Sequence, residues 1–317
     1  MSGMNSTTAA AAGAVALAAV ALLHRRFAAT FFWSCSAADV AQFKADGYLV
    51  VKGLLSQEEN ALVRRALETD ATLIENKVVL NDDDGGSTSL ALWSNPGDGT
   101  LGMLSRATRI VYAMRRFLGG AVLHYHSKSL LKPPNQGGVW NWHQDYGYWY
   151  KDYFLHPRMV TVYVAIDPQN GHTLKNGALR LLKGSHHIGR VDHWSKGDQQ
   201  GADLERVEQA RGLCEEITVD LEAGDAIFFH CLTMHSSSGN DSSHRRLALA
   251  SCYTRADNVQ WKDAYIPCYP VSIVSDRALM ESADRDTGEP TLTSAEEKCM
   301  MSPDVGVERA RKDNQNS

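Results

Sequence analysis

The chain lacks most of what would place it quickly. Its 317 residues contain no apolar run of the ~20 residues that a membrane-spanning helix needs, so a polytopic membrane protein is excluded. None of the six cysteines (Cys35, Cys214, Cys231, Cys252, Cys268 and Cys299) stands in a C-x-x-C pair, which argues against a zinc ribbon or a thioredoxin motif. Six dispersed cysteines in so long a chain are not a disulfide scaffold either, and they read as free, buried thiols. Neither charge dominates. With 32 basic and 37 acidic residues the net charge is −5, against a general nucleic-acid binder. No internal repeat is visible. Aromatic residues are few, seven Trp, eleven Tyr and eight Phe, yet eight of them crowd between Trp140 and Phe154.

Acid is absent from the first 38 residues, Asp39 being the first. Residues 9–23 form an unbroken run of small apolar residues, followed by His24-Arg25-Arg26. The run is short for a spanning helix and normal for a signal-peptide core, though no positive charge precedes it. Residues 1–35 are therefore read as a hydrophobic membrane anchor or a cleaved targeting segment, with a plain tail as the third reading. The compartment follows: membrane-anchored or organelle-targeted, otherwise cytoplasmic. Residues 36–281 are assigned to one domain and residues 282–317 to a polar C-terminal tail.

Helices come first in that domain. Ser36 and Ser56 each stand three residues before an acid at the head of an apolar stripe, as N-caps do. Residues 103–118 are predicted as one amphipathic helix stopped by Gly119-Gly120. Asn81-Asp82-Asp83-Asp84-Gly85-Gly86 is a solvated turn, since a calcium loop would need Glu where Trp93 stands. Short β-like runs then follow: 122–131, 139–148, 158–166, 178–182, 216–219, 226–230 and 247–253. Turn clusters such as Lys175-Asn176-Gly177 separate them. Helices followed by many short strands predict a mainly β sandwich or jelly roll with flanking helices.

The chemistry starts at Trp142-His143-Gln144-Asp145. On a strand, His143 and Asp145 share a face and present an imidazole beside a carboxylate. His235, after the run Ala226–His230, supplies a second imidazole. Two histidines and one carboxylate on one side of a metal leave the opposite positions open, which suits non-haem Fe(II). An acidic co-substrate would need an anchor, and a guanidinium can grip a carboxylate through two parallel hydrogen bonds. Arg245 and Arg246 both qualify. Arg246 shares its strand face with Ala248 and Ala250, which leave room for a ligand, whereas Arg245 shares one with Leu247 and Leu249; parity favours Arg246.

These blocks resemble the phytanoyl-CoA dioxygenase family of Fe(II)/2-oxoglutarate-dependent oxygenases. The resemblance spans about residues 39–253. It is carried by Phe43-Lys44-Ala45-Asp46-Gly47-Tyr48, Lys132-Pro133-Pro134, the His143–Asp145 block, Asn176-Gly177-Ala178-Leu179, Gly184-Ser185-His186, Gly224–His230, and His235 with Ser237, Asn240 and Arg246. It implies a double-stranded β-helix, a jelly roll of the cupin type. It also implies iron held by His143, Asp145 and His235, with 2-oxoglutarate and O2 as co-substrates. Arg246 would bind the distal carboxylate, with Ser237 beside it, and Gln144, Lys128 and Tyr163 would line the co-substrate pocket. The chain departs from the family at Ser236, usually Gly, and at Arg245, where Pro is common.

The expected activity is hydroxylation of a C–H bond in a small organic substrate, an amino-acid derivative such as proline or an acyl-CoA. The competing readings are a non-catalytic metal- or ligand-binding jelly roll and a zinc hydrolase. The aromatic crowd divides by parity. The part before Gly147 is expected to be core; Trp149 and Tyr150, after it, are expected to wall the substrate pocket. His124 and His126 are expected on a half-buried strand face.

Overall fold

The computed structural model describes residues 32–167, 171–264 and 266–285. The anchor or targeting segment falls almost wholly outside these residues, as does most of the polar tail. Among the described residues no helix is long and apolar enough to cross a membrane.

Helix α1 (Ala37–Asp46) starts from a capping box. The Ser36 hydroxyl accepts the Asp39 amide, and the Asp39 carboxylate accepts the Ser36 amide. It ends at Gly47, whose φ of 80° lies in the left-handed region that glycine enters without strain. Strand β1 (Tyr48–Val51) leads to α2 (Gln57–Thr69), capped in the same way by Ser56 and Glu59. Next come α3 (Ala71–Glu75), β2 (Val78–Asn81) and β3 (Ser87–Trp93). The single helix expected over 103–118 is two, α4 (Thr100–Arg106) and α5 (Thr108–Leu118). Ala107 between them has an extended ψ of 139°.

The remaining elements are β4 (Val122–Lys132), β5 (Trp140–His143), α6 (Asp145–Trp149), β6 (Met159–Ala165) and β7 (Leu179–Leu182), then the hairpin β8 (His193–Lys196) and β9 (Gln199–Ala202). Helix α7 (Leu204–Leu213) precedes β10 (Glu216–Val219), β11 (Ala226–His230), β12 (His235–Ser237) and β13 (Arg246–Arg255), with β14 (Tyr269–Pro270) and α8 (Ala278–Glu281) last. The packed chain continues through a 3₁₀ turn at Ser282–Arg285, where the Ser282 hydroxyl meets that of Thr100.

Two antiparallel sheets form a jelly roll. The larger runs β1-β11-β6-β13-β4-β3-β2, with β14 on β4, and the smaller runs β10-β7-β12-β5. Both faces of the larger sheet are covered, so β6 and β11 are near-continuous apolar runs. On one side Phe228 meets Phe117 of α5, which stacks on Phe43 of α1 with ring centroids 4.1 Å apart. On the other, Tyr163, Ile227, Phe229, Ala248 and Ala250 pack with Leu179, Leu181 and Val219 of the smaller sheet. The site lies between the two sheets.

β4 is an interior strand, hydrogen-bonded to β13 and β3. His124 and His126 are accordingly buried rather than half-exposed. His124 bonds the Ser94 carbonyl and the Ser127 hydroxyl, and burial pushes its pKa down to about 4. The five cysteines among the described residues are free.

Candidate metal and co-substrate site

Strands β5 and β12 pair antiparallel with His143 directly opposite His235, which puts both imidazoles on the inner face with ring centroids 4.0 Å apart. The Nδ1 of His143 lies 2.7 Å from the Asn141 carbonyl, and that of His235 lies 2.9 Å from the Thr233 carbonyl. A carbonyl oxygen only accepts, so each Nδ1 carries the proton and each Nε2 presents its lone pair to the cavity. Burial holds both imidazoles below their usual pKa, His143 the more so with His235 beside it. Neutral imidazoles are what a metal requires.

Asp145 reaches the same point by another route. The strand expected to continue to Tyr148 stops at His143, and Asp145 opens α6. Its Oδ1 lies 4.0 Å from His143 Nε2 and 3.9 Å from His235 Nε2, while its Oδ2 accepts a 2.8 Å hydrogen bond from Thr161. All three donor atoms fall within 4.8 Å of one another and are buried. Two metal–ligand bonds of roughly 2.1 Å span at most about 4.2 Å, enough for the two separations between Asp145 and the histidines.

The three donors open onto a small cavity, partly open to solvent. Lys128, Tyr163, Ser237 and Arg246 all line it. Arg246 is buried, its NH1 donates to the Tyr163 hydroxyl, and its Nε has no partner. The Tyr163 hydroxyl in turn lies 3.2 Å from His172 Nδ1, and the other ring nitrogen of His172 bonds the Leu247 carbonyl. A buried guanidinium with an unmet donor and no carboxylate partner among the described residues calls for an anion in the cavity. Arg245 points elsewhere, pairing with Glu68 and Asp167. The alanine face chosen by parity is thus the cavity face, and Ala250 lines it.

Three other expected residues do not reach the cavity. The Gln144 amide is spent on backbone, donating to Gly189 and Leu232 and accepting from Val191. Trp149 packs in the core against Tyr125 and His126. Tyr150 is exposed under the Arg190 guanidinium, 4.5 Å from its ring centroid. The division at Gly147 does not hold: Tyr146 is core as expected, but Trp140, also expected there, lines the cavity. A β-bulge is the reason. Ser237 pairs with Trp140, so two steps along β12 match three along β5, and parity breaks within the strand.

Several contributing residues were not singled out from the sequence. Thr161 could have been, since it shares the β6 face with Tyr163. His193 could not: it lies 49 residues from Gln144 in sequence, and its Nε2 accepts the backbone N–H of Gln144 at 2.9 Å. Thr88, Leu130, Leu179 and Phe229 complete much of the wall.

Comparison with known proteins agrees. Residues 43–248 match the phytanoyl-CoA dioxygenase family. The chain is 29% identical over 247 residues to the L-proline trans-4-hydroxylase of Streptomyces griseoviridis, covering 73% of this chain and 88% of that protein. It is 27% identical over 234 residues to the ectoine dioxygenase of Stutzerimonas stutzeri, covering 69% and 76%. Among solved structures, apo EctD from S. alaskensis superposes with a TM-score of 0.61 at 22% identity, over 76% of this chain and 86% of that one. The carbocyclase SnoK of nogalamycin biosynthesis gives 0.55 at 21%, over 71% and 87%. These two likenesses concern the fold. The family match spans most of the packed domain and includes both histidines, the aspartate and Arg246, and the chain belongs to the phytanoyl-CoA dioxygenase family of Fe(II)- and 2-oxoglutarate-dependent oxygenases.

Proposed function

We propose that this dioxygenase hydroxylates a C–H bond of a free amino acid or a small cyclic amino-acid derivative. The observation that carries the co-substrate half of this reading is Arg246, buried, with an unmet donor, in the cavity that holds the His-Asp-His donors. His143, Asp145 and His235 would hold Fe(II). Arg246 and Ser237 would seat the distal carboxylate of 2-oxoglutarate, with Tyr163 fixing the guanidinium and Lys128 facing the same space. Fe(II) with 2-oxoglutarate and O2 supplies the oxidising chemistry, yielding succinate, CO2 and the hydroxylated product.

The chain's own groups do the positioning. Thr161 fixes one carboxylate oxygen of Asp145, and the Asn141 and Thr233 carbonyls fix the tautomers of the two histidines. Leu130, Trp140, Leu179 and Phe229 make the walls apolar, which keeps bulk water from the reacting centre. The proline and ectoine enzymes among its relatives support a small substrate over an acyl-CoA. Residues 1–35 are proposed as an anchor or targeting segment, from their acid-free apolar composition.

The test incubates the Fe(II)-loaded protein with 2-oxoglutarate and a panel of cyclic and linear amino acids, ectoine and acyl-CoA thioesters. A product heavier by 16 mass units from an amino-acid substrate, matched one-to-one by succinate, is expected. Matched turnover of a thioester alone would overturn the substrate reading.

A further inference from the structure

Lys132 is a buried lysine that the reading above leaves unused. It is directly opposite Arg246 across the β4–β13 pair, so both cations project to the cavity side of the sheet. Lys132 has no accessible surface, and neither cation has a carboxylate in ion-pair contact among the described residues. Burial first, and then the Arg246 charge, lower its pKa, while the Asp82 carboxylate opposes them. Two facing buried cations are destabilising on their own and become favourable when an anion lies between them.

The fold makes room for this side chain deliberately. A Cβ at Gly137 would come within 2.8 Å of the Lys132 Cβ, and one at Gly177 would come within 2.8 Å of its Cδ. At the far end Nζ donates to the Ser238 carbonyl and, at 2.8 Å, to the Ser237 hydroxyl oxygen. Ser237 lines the cavity. A hydroxyl whose oxygen already accepts from an ammonium keeps its own proton to give. Thr88, on the neighbouring strand β3, adds a buried hydroxyl without a partner to the same cavity.

We infer that Lys132 is a positioning residue for the co-substrate's distal carboxylate: by occupying the Ser237 oxygen it forces that hydroxyl to donate into the cavity beside Arg246. The inference rests on 2-oxoglutarate being the occupant. Lys132 acts through Ser237 and not on the metal, so it should matter only for ligands that carry a second carboxylate.

The experiment is calorimetric binding of 2-oxoglutarate, and of 2-oxopentanoate, to the full chain loaded with Mn(II). The two acids share the 2-oxo carboxylate, and only the first has the distal one. Lys132→Met is expected to weaken 2-oxoglutarate about tenfold or more and to leave 2-oxopentanoate within about twofold. Ser237→Ala should do the same, and the double variant should be no weaker than the weaker single variant, because both remove one device. Lys132→Gln, which keeps an N–H donor, should fall between wild type and Lys132→Met, and it carries the comparison if the methionine variant does not fold. Equal loss of both ligands, or undiminished 2-oxoglutarate binding in the Lys132 variants, overturns the inference while Arg246→Ala still abolishes binding. Failure of the wild-type protein to bind 2-oxoglutarate overturns the functional reading, and the inference with it.

Discussion

At the scale of single residues, the metal donors are held by partners that are not donors themselves. Thr161 is one: its hydroxyl donates to the Asp145 oxygen that faces away from the histidines. Thr161→Val keeps the shape and removes the donor, leaving a buried carboxylate oxygen unsatisfied and free to turn. Metal affinity should fall about 10–100-fold with the fold intact, as read by Mn(II) titration beside a thermal melt. Unchanged affinity would mean that α6 alone orients Asp145. The two adjacent arginines offer a sharper contrast. Arg246→Lys replaces a two-pronged donor with a point charge, so the KM for 2-oxoglutarate should rise about 10–100-fold with a smaller change in kcat. Arg245→Ala breaks a partly exposed pair with Glu68 and Asp167, outside the cavity, and should shift that KM by less than about twofold. A reversal of these effects would sink the parity argument.

At the scale of elements, the site depends on where β5 stops. The turn that ends it is tight. Tyr146 N–H bonds the Cys231 carbonyl, and the Gln144 amide bonds His193. A Cβ at Gly147 would lie 2.2 Å from the His193 ring, which is itself anchored by the Val191 carbonyl. Gly147→Ala is therefore expected to cost about 1–3 kcal/mol in urea unfolding and to weaken metal binding, since Asp145 belongs to the same turn. Wild-type stability with wild-type affinity would show that the ring can move aside. The same turn explains what the sequence concealed. β4, β6, β11 and β13 were legible because their apolar runs are long and bounded by turn residues. The metal donors were legible because His-x-Asp and a distant histidine survive the change from strand to helix between them. The aromatic crowd was not, because its facing depends on a bulge and a helix start, neither of which has a composition signal. Helix α7 was missed because only Val207 and Ala210 of its ten residues are buried, leaving almost no apolar stripe. The β8–β9 hairpin, of two four-residue polar strands, was missed for a similar reason.

At the scale of the whole domain, the two sheets divide the work. The smaller sheet carries both histidines, the larger carries Lys128, Tyr163 and Arg246, and a co-substrate held by both groups would bridge them. The larger sheet is backed by structure outside the cavity. Part of it is the buried ion pair of Arg109 on α5 with Glu59 on α2, at 2.7 Å, which Asp276 extends to the C-terminal segment. Glu59 also accepts the Ser56 amide in the α2 capping box, so the pair ties a helix start to the helix that backs β6 and β13. Arg109→Met leaves the Glu59 carboxylate buried without its cation, and such a loss costs about 3–5 kcal/mol. Adding Glu59→Gln removes the stranded charge while the amide oxygen keeps the cap, so the double variant should recover much of that loss. Denaturant unfolding measures both. The folded fraction of each variant should still bind 2-oxoglutarate with wild-type affinity, because no atom of the pair lines the cavity. A destabilisation below about 1 kcal/mol in Arg109→Met would show that the pair adds little to the packing of the helices on the larger sheet. A double variant as unstable as the single one would show that the guanidinium acts through packing and not through charge.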